Sequence, residues 1–157
     1  MFERWNTYSR VRVRPLGESN PYGWAFARAP DRKIDQNLLD IDADAATVIT
    51  RFDGDFSKVS YLKDDVINAA YLVQPPKDAA IIGVGGGRDI LSALLFGARN
   101  IRGIEINPAI FEVLTDKFAD RQRSMFVRFV SGRSRLPSRR HQFERPFKLK
   151  YFYPPGN

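Results

Sequence analysis

Four glycines stand within the five residues GVGGG at 83–87, between a short apolar run and a leucine-rich segment. Because glycine has no Cβ, such a stretch adopts positive φ readily and allows a ligand to touch the main chain. If a helix begins directly after it, the free N–H groups of the first turn add partial positive charge. These residue types in this order predict a loop that binds a small ligand through its backbone.

One acidic residue has the position of a ribose-binding carboxylate. Glu105 follows Gly83 by 22 positions and closes the next apolar run. At this spacing, an acid at the end of the second strand of a βαβ unit binds ribose hydroxyls. Loop and acid together predict an adenosine-type site. A purely structural alternative remains open, since glycine-rich turns also form where a helix packs tightly on its strand.

The loop departs from two phosphate-binding patterns. The dinucleotide pattern GxGxxG takes Gly or Ala at its sixth position, where this chain has Arg88, and the P-loop ending Gly-Lys-Ser/Thr is absent. Asp89, in the first turn of the predicted helix, would repel a pyrophosphate. S-adenosylmethionine carries no phosphate. We therefore rank an S-adenosyl ligand first and an NAD-type dinucleotide second.

The elements around the loop alternate between strand and helix. Apolar patterning predicts strands at 79–83 and 101–105 and a helix at 88–96, which Gly97 ends. Asn107 followed by Pro108 predicts the start of a further helix. A helix at 64–74 precedes the unit. The sequence thus predicts an α/β fold, with a β-α-β-α half of a doubly wound parallel sheet over 61–120.

A small antiparallel β unit is predicted over 1–60. Its strands are expected at 8–14, 24–26 and 47–52. The first alternates valines with arginines and stops at Pro15, the second is based on Trp24 and Phe26, and the third ends in a hairpin-type turn at Asp53-Gly54.

Composition excludes several classes of site. The chain has 157 residues, 43% hydrophobic and 27% charged, as expected for a single globular domain. With no cysteine and a single histidine, His141, it has no thiolate nucleophile, no Cys-ligated zinc and no Ser-His-Asp triad. No apolar run reaches the roughly 18 residues that span a bilayer, and no signal layout begins the chain. We expect a cytoplasmic protein without a membrane segment.

The positive charge is concentrated in the basic, aromatic-containing tail 121–157. This tail holds 10 Lys/Arg and one acid, Glu144, whereas residues 1–120 hold 15 Lys/Arg and 17 Asp/Glu. Three interpretations are open: nucleic-acid binding through arginines and aromatic rings, a replacement segment that docks on the sheet, or an aberrant, disordered product of a truncated or shifted reading frame. The abrupt change in composition favours the last.

The run IIGVGGGRDILSALLFGARNIRGIEINPAI resembles motif I and the following strand of spermidine synthase-like proteins in the S-adenosylmethionine-dependent methyltransferase superfamily. The upstream WNTYSRVRV and FDGD stretches resemble the small β unit of that family. The resemblance covers about residues 4–120. It implies a partial Rossmann-like sheet of the class I methyltransferase type, S-adenosylmethionine or decarboxylated S-adenosylmethionine as ligand, and aminopropyl or methyl transfer.

The resemblance also assigns roles to single residues. The loop glycines would approach the methionine and ribose portions of the ligand, Glu105 would bind the 2′- and 3′-hydroxyls, and Ile106 would lie beside the adenine. The candidate ligand-binding set is Gly83, Gly85, Gly86, Gly87, Asp89, Glu105 and Ile106.

The family's catalytic groups are not found. Gly86 occupies the place of the Asp in GGGDGG that holds an aminopropyl donor. After a third strand expected at 125–130, Arg133 stands where an acid for the adenine is expected, and Glu144 is the only acid that follows. A transferase acting on an amine needs a positioned base. The catalytic residue is therefore unknown, and we expect an incomplete and inactive domain.

Other charged clusters have simpler interpretations. Asp40, Asp42 and Asp44 imitate the start of a calcium loop, but Ala45 and Arg51 replace its glycine and final glutamate. We predict a solvated acidic turn and no metal site.

Two further groups of charged residues have structural interpretations, and the edges of the half-sheet are expected to contact another protein surface. Asp64-Asp65 is expected to begin a helix. Arg10, Arg12 and Arg14 are expected to be exposed or paired with acids, or to face a missing partner domain. A half-sheet leaves apolar edges, which predicts self-association or a missing domain.

Overall fold

The computed structural model describes residues 1–117 apart from Trp24 and Ala29, together with the backbone of 128–131. The elements follow in the order β1 (Phe2–Trp5), β2 (Arg10–Ser19), β3 (Ile34–Ile41), β4 (Ala45–Thr50), two 3-10 helices (Phe56–Asp64 and Val66–Asn68), α1 (Ala69–Val73), β5 (Asp78–Ile82), α2 (Arg88–Leu95), β6 (Asn100–Glu105), α3 (Pro108–Glu112), a π-helical turn (Val113–Lys117) and β7 (Arg128–Ser131). The tail predicted over 121–157 lies outside the described residues, except for β7.

The first four strands form an antiparallel sheet in the order β1-β2-β3-β4, which confirms the predicted antiparallel unit. Strand β2 does not stop at Pro15, as the sequence had led us to expect, but continues to Ser19. The register shifts between Pro15 and Gly17, and Gly17 has φ 65°. This bulge lets the strand pass a residue that has no N–H to donate to the ladder.

Two other expectations for this unit are wrong. Of the strand expected at 24–26, residues 25 and 26 form none, because Phe26 makes only an isolated bridge to Asp65; Trp24 lies outside the described residues. The pair Asp53-Gly54 leads into a 3-10 helix and does not turn a hairpin. The reason is Asp55, whose side chain accepts a hydrogen bond from Ser57 N at 2.9 Å and thereby starts the helix.

The turn between β3 and β4 has two residues of positive φ, Asp42 at 56° and Ala43 at 61°. Two successive residues of positive φ at the centre of a β-turn are typical of type I′ geometry. Asp44 N donates to Ile41 O at 3.1 Å and closes the turn. Asp42 and Asp44 are exposed, as predicted.

Asp40 differs from its two acidic neighbours in that it is buried on β3, which corrects the prediction that all three are solvated. It pairs with Arg12 at 3.1 Å and with Arg14 at 3.9 Å across the β2–β3 ladder. The expectation that these arginines pair with acids is therefore confirmed. Arg10 instead lies over the ring of Trp5, 5.4 Å from its centroid.

The second half of the described chain is the predicted β-α-β-α unit. Strands β5 and β6 are parallel, β7 adds a third parallel strand beside β6, and the order is β5-β6-β7. Gly97, with φ 95°, ends α2 as predicted. The helix expected at 64–74 is shorter, because only Ala69–Val73 is α-helical. Of the third strand expected at 125–130, residues 128–130 lie in β7, and 125–127 lie outside the described residues.

The two sheets share one hydrophobic cluster. It includes Val13 and Leu39 of the antiparallel sheet together with Ile81, Leu91 and Ile101 of the parallel half. The face of the parallel sheet that points away from this cluster is open in the described residues, where Ile82 and Ile104 are exposed. In the part of the chain that the structure describes, no helix has the length and apolar character to cross a membrane.

Candidate functional site

The loop between β5 and α2 has the backbone that its glycines predict. Gly83, Gly85 and Gly87 have φ of 74°, 54° and 82°. Side chains rarely adopt such values, so glycine is the residue that these positions favour. Gly87 precedes α2 and has no side chain to cap its first turn, which leaves backbone donors at the helix start beside the loop.

Glu105, at the end of β6, lies against this loop. Its Oε2 accepts a hydrogen bond from Gly85 N at 3.2 Å, and its Oε1 accepts one from Asn107 N at 2.8 Å. Glu105 is buried, with 4% of the residue exposed. The structure thus brings together the two parts of the predicted site, and each oxygen of a carboxylate retains capacity for a further donor.

A cavity of about 170 Å³ lies beside the loop. Its lining comes from both halves of the molecule: Tyr22, Ala46, Thr47, Gly83, Val84, Gly85, Arg88 and Asp89. Glu105 and Ile106 lie outside this lining. Ligand pockets commonly measure about 300–1,000 Å³, so this space fits one end of a nucleoside compound and not the whole of it. A second cavity of similar volume lies beside Arg28 and Tyr61. None of the candidate ligand-binding residues lines it.

The loop glycines differ in what surrounds them. A Cβ on Gly86 would overlap the carbonyl oxygen of Val48 and lie 2.5 Å from its carbonyl carbon. On Gly85 it would lie 3.2 Å from Thr47 Cγ2, and on Gly83 it would meet nothing within 4 Å. Close packing on β4 therefore accounts for the missing side chain at Gly86. No contact among the described residues does so at Gly83.

Arg88, the first residue of α2, forms a buried ion pair with Asp65. The two residues are 5% and 1% exposed. Asp65 also accepts from Ile67 N at 3.2 Å and begins the second 3-10 helix, which confirms the expected helix start at Asp65, whereas Asp64 ends the first 3-10 helix. Burial lowers the pKa of Arg88, while Tyr61 and Asp89 raise it. Arginine nevertheless stays charged at neutral pH.

This ion pair was not predicted, since the sequence shows Arg88 only as a departure from the dinucleotide pattern. Nothing in the local spacing marks Asp65 as its partner. Asp89, by contrast, is exposed and lies at the cavity, in the first turn of α2, where it was predicted.

Asn107 connects the end of β6 to the antiparallel sheet. It caps α3 as predicted, accepting from Ala109 N at 3.1 Å, and Pro108 takes the first helical position. Its side chain also bonds Asn6 at 2.8 Å and Ser9 at 2.9 Å. These partners are about a hundred residues away in sequence, so no local signal could have identified them.

Within the part of the chain that the structure describes, neither a metal centre nor the catalytic carboxylate that the resemblance implies can be placed. Among the described residues, no three His, Cys, Asp or Glu side chains gather to hold a metal ion. Arg133, His141 and Glu144 lie outside the described residues.

Comparison of the chain with protein-family models, with curated proteins and with solved structures finds no match.

Proposed function

We propose that this chain is a spermidine synthase-like domain that binds S-adenosylmethionine or decarboxylated S-adenosylmethionine, with a partial sheet of the class I methyltransferase type. The observation that carries the proposal is the contact between Glu105 Oε2 and Gly85 N at 3.2 Å. It joins a buried carboxylate to a loop that exposes its main chain at Gly83. A sugar lying across this contact could donate its hydroxyls to the carboxylate while its 5′ substituent follows the loop.

The surrounding residues fit the two ends of such a ligand. Ile106 is 60% exposed directly after Glu105 and offers an apolar surface to an adenine ring. Toward the cavity, Gly83 leaves room for the chain at the 5′ carbon, and the exposed Asp89 is complementary to a positive charge there. When bound, the ligand supplies a carbon made electrophilic by the adjacent sulfonium. The protein residues bind and orient it.

The proposal is limited to binding within a transferase family. General-base catalysis requires a group within hydrogen-bond reach of the proton it removes. Asp89 is the acid that lines the cavity in the described residues. We assign it a charge-complementing role and leave open whether a methyl or an aminopropyl group is transferred.

A dinucleotide fits this site less well. The GxGxxG pattern needs a small sixth residue for close helix–strand packing, and here that residue is Arg88, held in its ion pair with Asp65. The pyrophosphate would also lie at the start of α2, where Asp89 would repel it. We therefore expect NAD to bind far more weakly than S-adenosylmethionine.

Calorimetric titration of the full chain with S-adenosylmethionine, its decarboxylated form and NAD tests the proposal. A Glu105→Ala change should weaken binding of the two S-adenosyl compounds by about 1–3 kcal/mol, because hydrogen bonds to a buried carboxylate are lost. Glu18→Ala is the matched control, since Glu18 is an exposed acid on β2 and should leave affinity unchanged. Absence of heat with both S-adenosyl compounds, from folded protein, would overturn the proposal.

A further inference from the structure

Asn107 lies between the predicted ribose site and the antiparallel sheet. Its backbone N–H donates to Glu105 Oε1 at 2.8 Å, and the residue is 5% exposed. Its side-chain Oδ1 accepts from Ala109 N, and its Nδ2 donates to Ser9 Oγ at 2.9 Å. Any movement of Asn107 therefore moves a donor that holds the carboxyl group.

Asn6 fixes Asn107 from the β1–β2 turn. Asn6 Oδ1 accepts from Tyr8 N at 2.8 Å and from Ser9 N at 3.2 Å, which settles which end of the amide faces away from the turn. The opposite end, Nδ2, donates to Asn107 Oδ1 at 2.8 Å. A continuous series of hydrogen bonds thus runs from Asn6 through Asn107 and Glu105 to Gly85.

We infer that Asn6 and Asn107 are positioning residues for Glu105, so that the antiparallel sheet sets the geometry with which the site holds a ribose. The inference rests on the proposed function. Its physical basis is that hydrogen bonds weaken steeply when donor and acceptor are misaligned. With one oxygen of Glu105 held by Asn107 N and the other by Gly85 N, the plane of the carboxylate is fixed before a ligand arrives.

Asn6→Asp is the variant that separates positioning from folding. An aspartate keeps the acceptor that Tyr8 N and Ser9 N use, so the turn is retained. It loses the donor to Asn107, and an oxygen then faces Asn107 Oδ1. The change therefore disturbs the series of hydrogen bonds at its first link, without touching a residue that contacts the ligand.

The readout is the ratio of affinities for S-adenosylmethionine and its 2′-deoxyribose analogue, measured by calorimetry. The folded wild-type chain should bind the deoxy analogue about tenfold or more weakly, as expected for a lost hydrogen bond to a charged acceptor. In Asn6→Asp this ratio should fall to about threefold or less, because affinity for the complete ribose falls while affinity for the analogue stays. General loosening of the protein would weaken both ligands equally.

Asn100→Ala is the matched control. Asn100 lies at the other end of β6, where its side chain bonds Asp78 at 2.6 Å. Its removal takes away a comparable amide hydrogen bond from the same strand, far from Glu105. We expect the affinity ratio of this variant to equal that of the wild type.

The outcomes are distinguishable. No binding by the folded wild type overturns the proposed function and the inference with it. Equal affinity of the wild type for both compounds leaves S-adenosyl binding standing but overturns the contact of Glu105 with the 2′-hydroxyl, and with it the inference. If the wild type prefers S-adenosylmethionine over the 2′-deoxy analogue and Asn6→Asp shows the same affinity ratio, the inference is wrong and the proposed function stands. If that variant does not fold, hydrogen exchange of the Tyr8 and Ser9 backbone amides in the wild type provides the test. Saturation with S-adenosylmethionine should slow the exchange of these two amides, because the ligand and the turn stabilise each other. Unchanged exchange would contradict a positioning role of Asn6.

Discussion

The two sides of the glycine loop meet different surroundings. On the side of β4, Gly86 packs on the Val48 carbonyl and Arg88 is buried against Asp65. At the start of the loop, Gly83 lines the cavity and has no described atom within 4 Å of its Cβ position, and the preceding Ile82 is 82% exposed. Among the described residues, the Gly86 side of the loop is filled by protein and the Gly83 side is open.

This difference separates two reasons for glycine in one short segment. Gly86 is required by the close approach of a neighbouring strand, which holds whether or not a ligand binds. At Gly83, the positive φ of the backbone favours glycine, and the space at the Cβ position is open in the described residues. Glycine content alone is therefore weak evidence for a ligand. The stronger evidence is the pairing of an open glycine with a buried carboxylate that reaches the same loop.

The largest effect is expected on the filled side. Asp65→Ala would leave Arg88 buried without its partner and should lower the free energy of unfolding by about 3–5 kcal/mol in urea titrations. Adding Arg88→Met should recover a large part, because no unpaired charge then remains buried. Asp64→Ala is the control, since Asp64 pairs with the exposed Arg28 at 3.3 Å and should change stability by less than about 1 kcal/mol. Equal effects of the two aspartate changes would contradict the difference drawn here.

The second prediction compares the two glycines directly. Gly86→Ala forces a Cβ onto the backbone of Val48 and should lower the free energy of unfolding by about 3 kcal/mol or more. Gly83→Ala has no clash, and its positive φ alone should cost about 1–2 kcal/mol. Thermal and urea unfolding of both variants provides the measurement. If Gly83→Ala proves the more damaging of the two, the assignment of a packed and an open side is wrong.

The sequence predicted the open side better than the filled side. Strand, glycine loop, helix and Glu105 are local patterns, and the structure forms them where expected. The role of Gly86 depends on docking of β4, which is a tertiary contact that no spacing along the chain reveals. The same holds for the Asp65 partner of Arg88. The sequence thus indicated the candidate ligand-binding residues, but it did not reveal the packing of β4 on Gly86 or the ion pair between Asp65 and Arg88.

Strand β3 shows a second limit. Its residues Asp35, Gln36 and Asn37 do not alternate between apolar and polar, so the pattern did not indicate a strand. In the structure Gln36 is buried and donates to Thr50 Oγ1 at 3.3 Å, while its oxygen lies 3.3 Å from Tyr22 N. Buried polar side chains of this kind are stabilised by partners on other segments. Hydrophobic periodicity cannot detect them.

The smallest predicted effect lies in the turn that leads into β4, the strand that fills one side of the loop. Ala43 has φ 61°, a region that costs an L-residue about 1–2 kcal/mol, so Ala43→Gly should raise the free energy of unfolding by up to about 1 kcal/mol. Ala45→Gly is the matched control: it lies in β4 itself, where the same change should cost about 0.5–1 kcal/mol. Because a firmer turn leaves the open side untouched, affinity for S-adenosylmethionine should stay the same in Ala43→Gly. A gain in stability that came with altered affinity would show that the two sides of the loop are coupled.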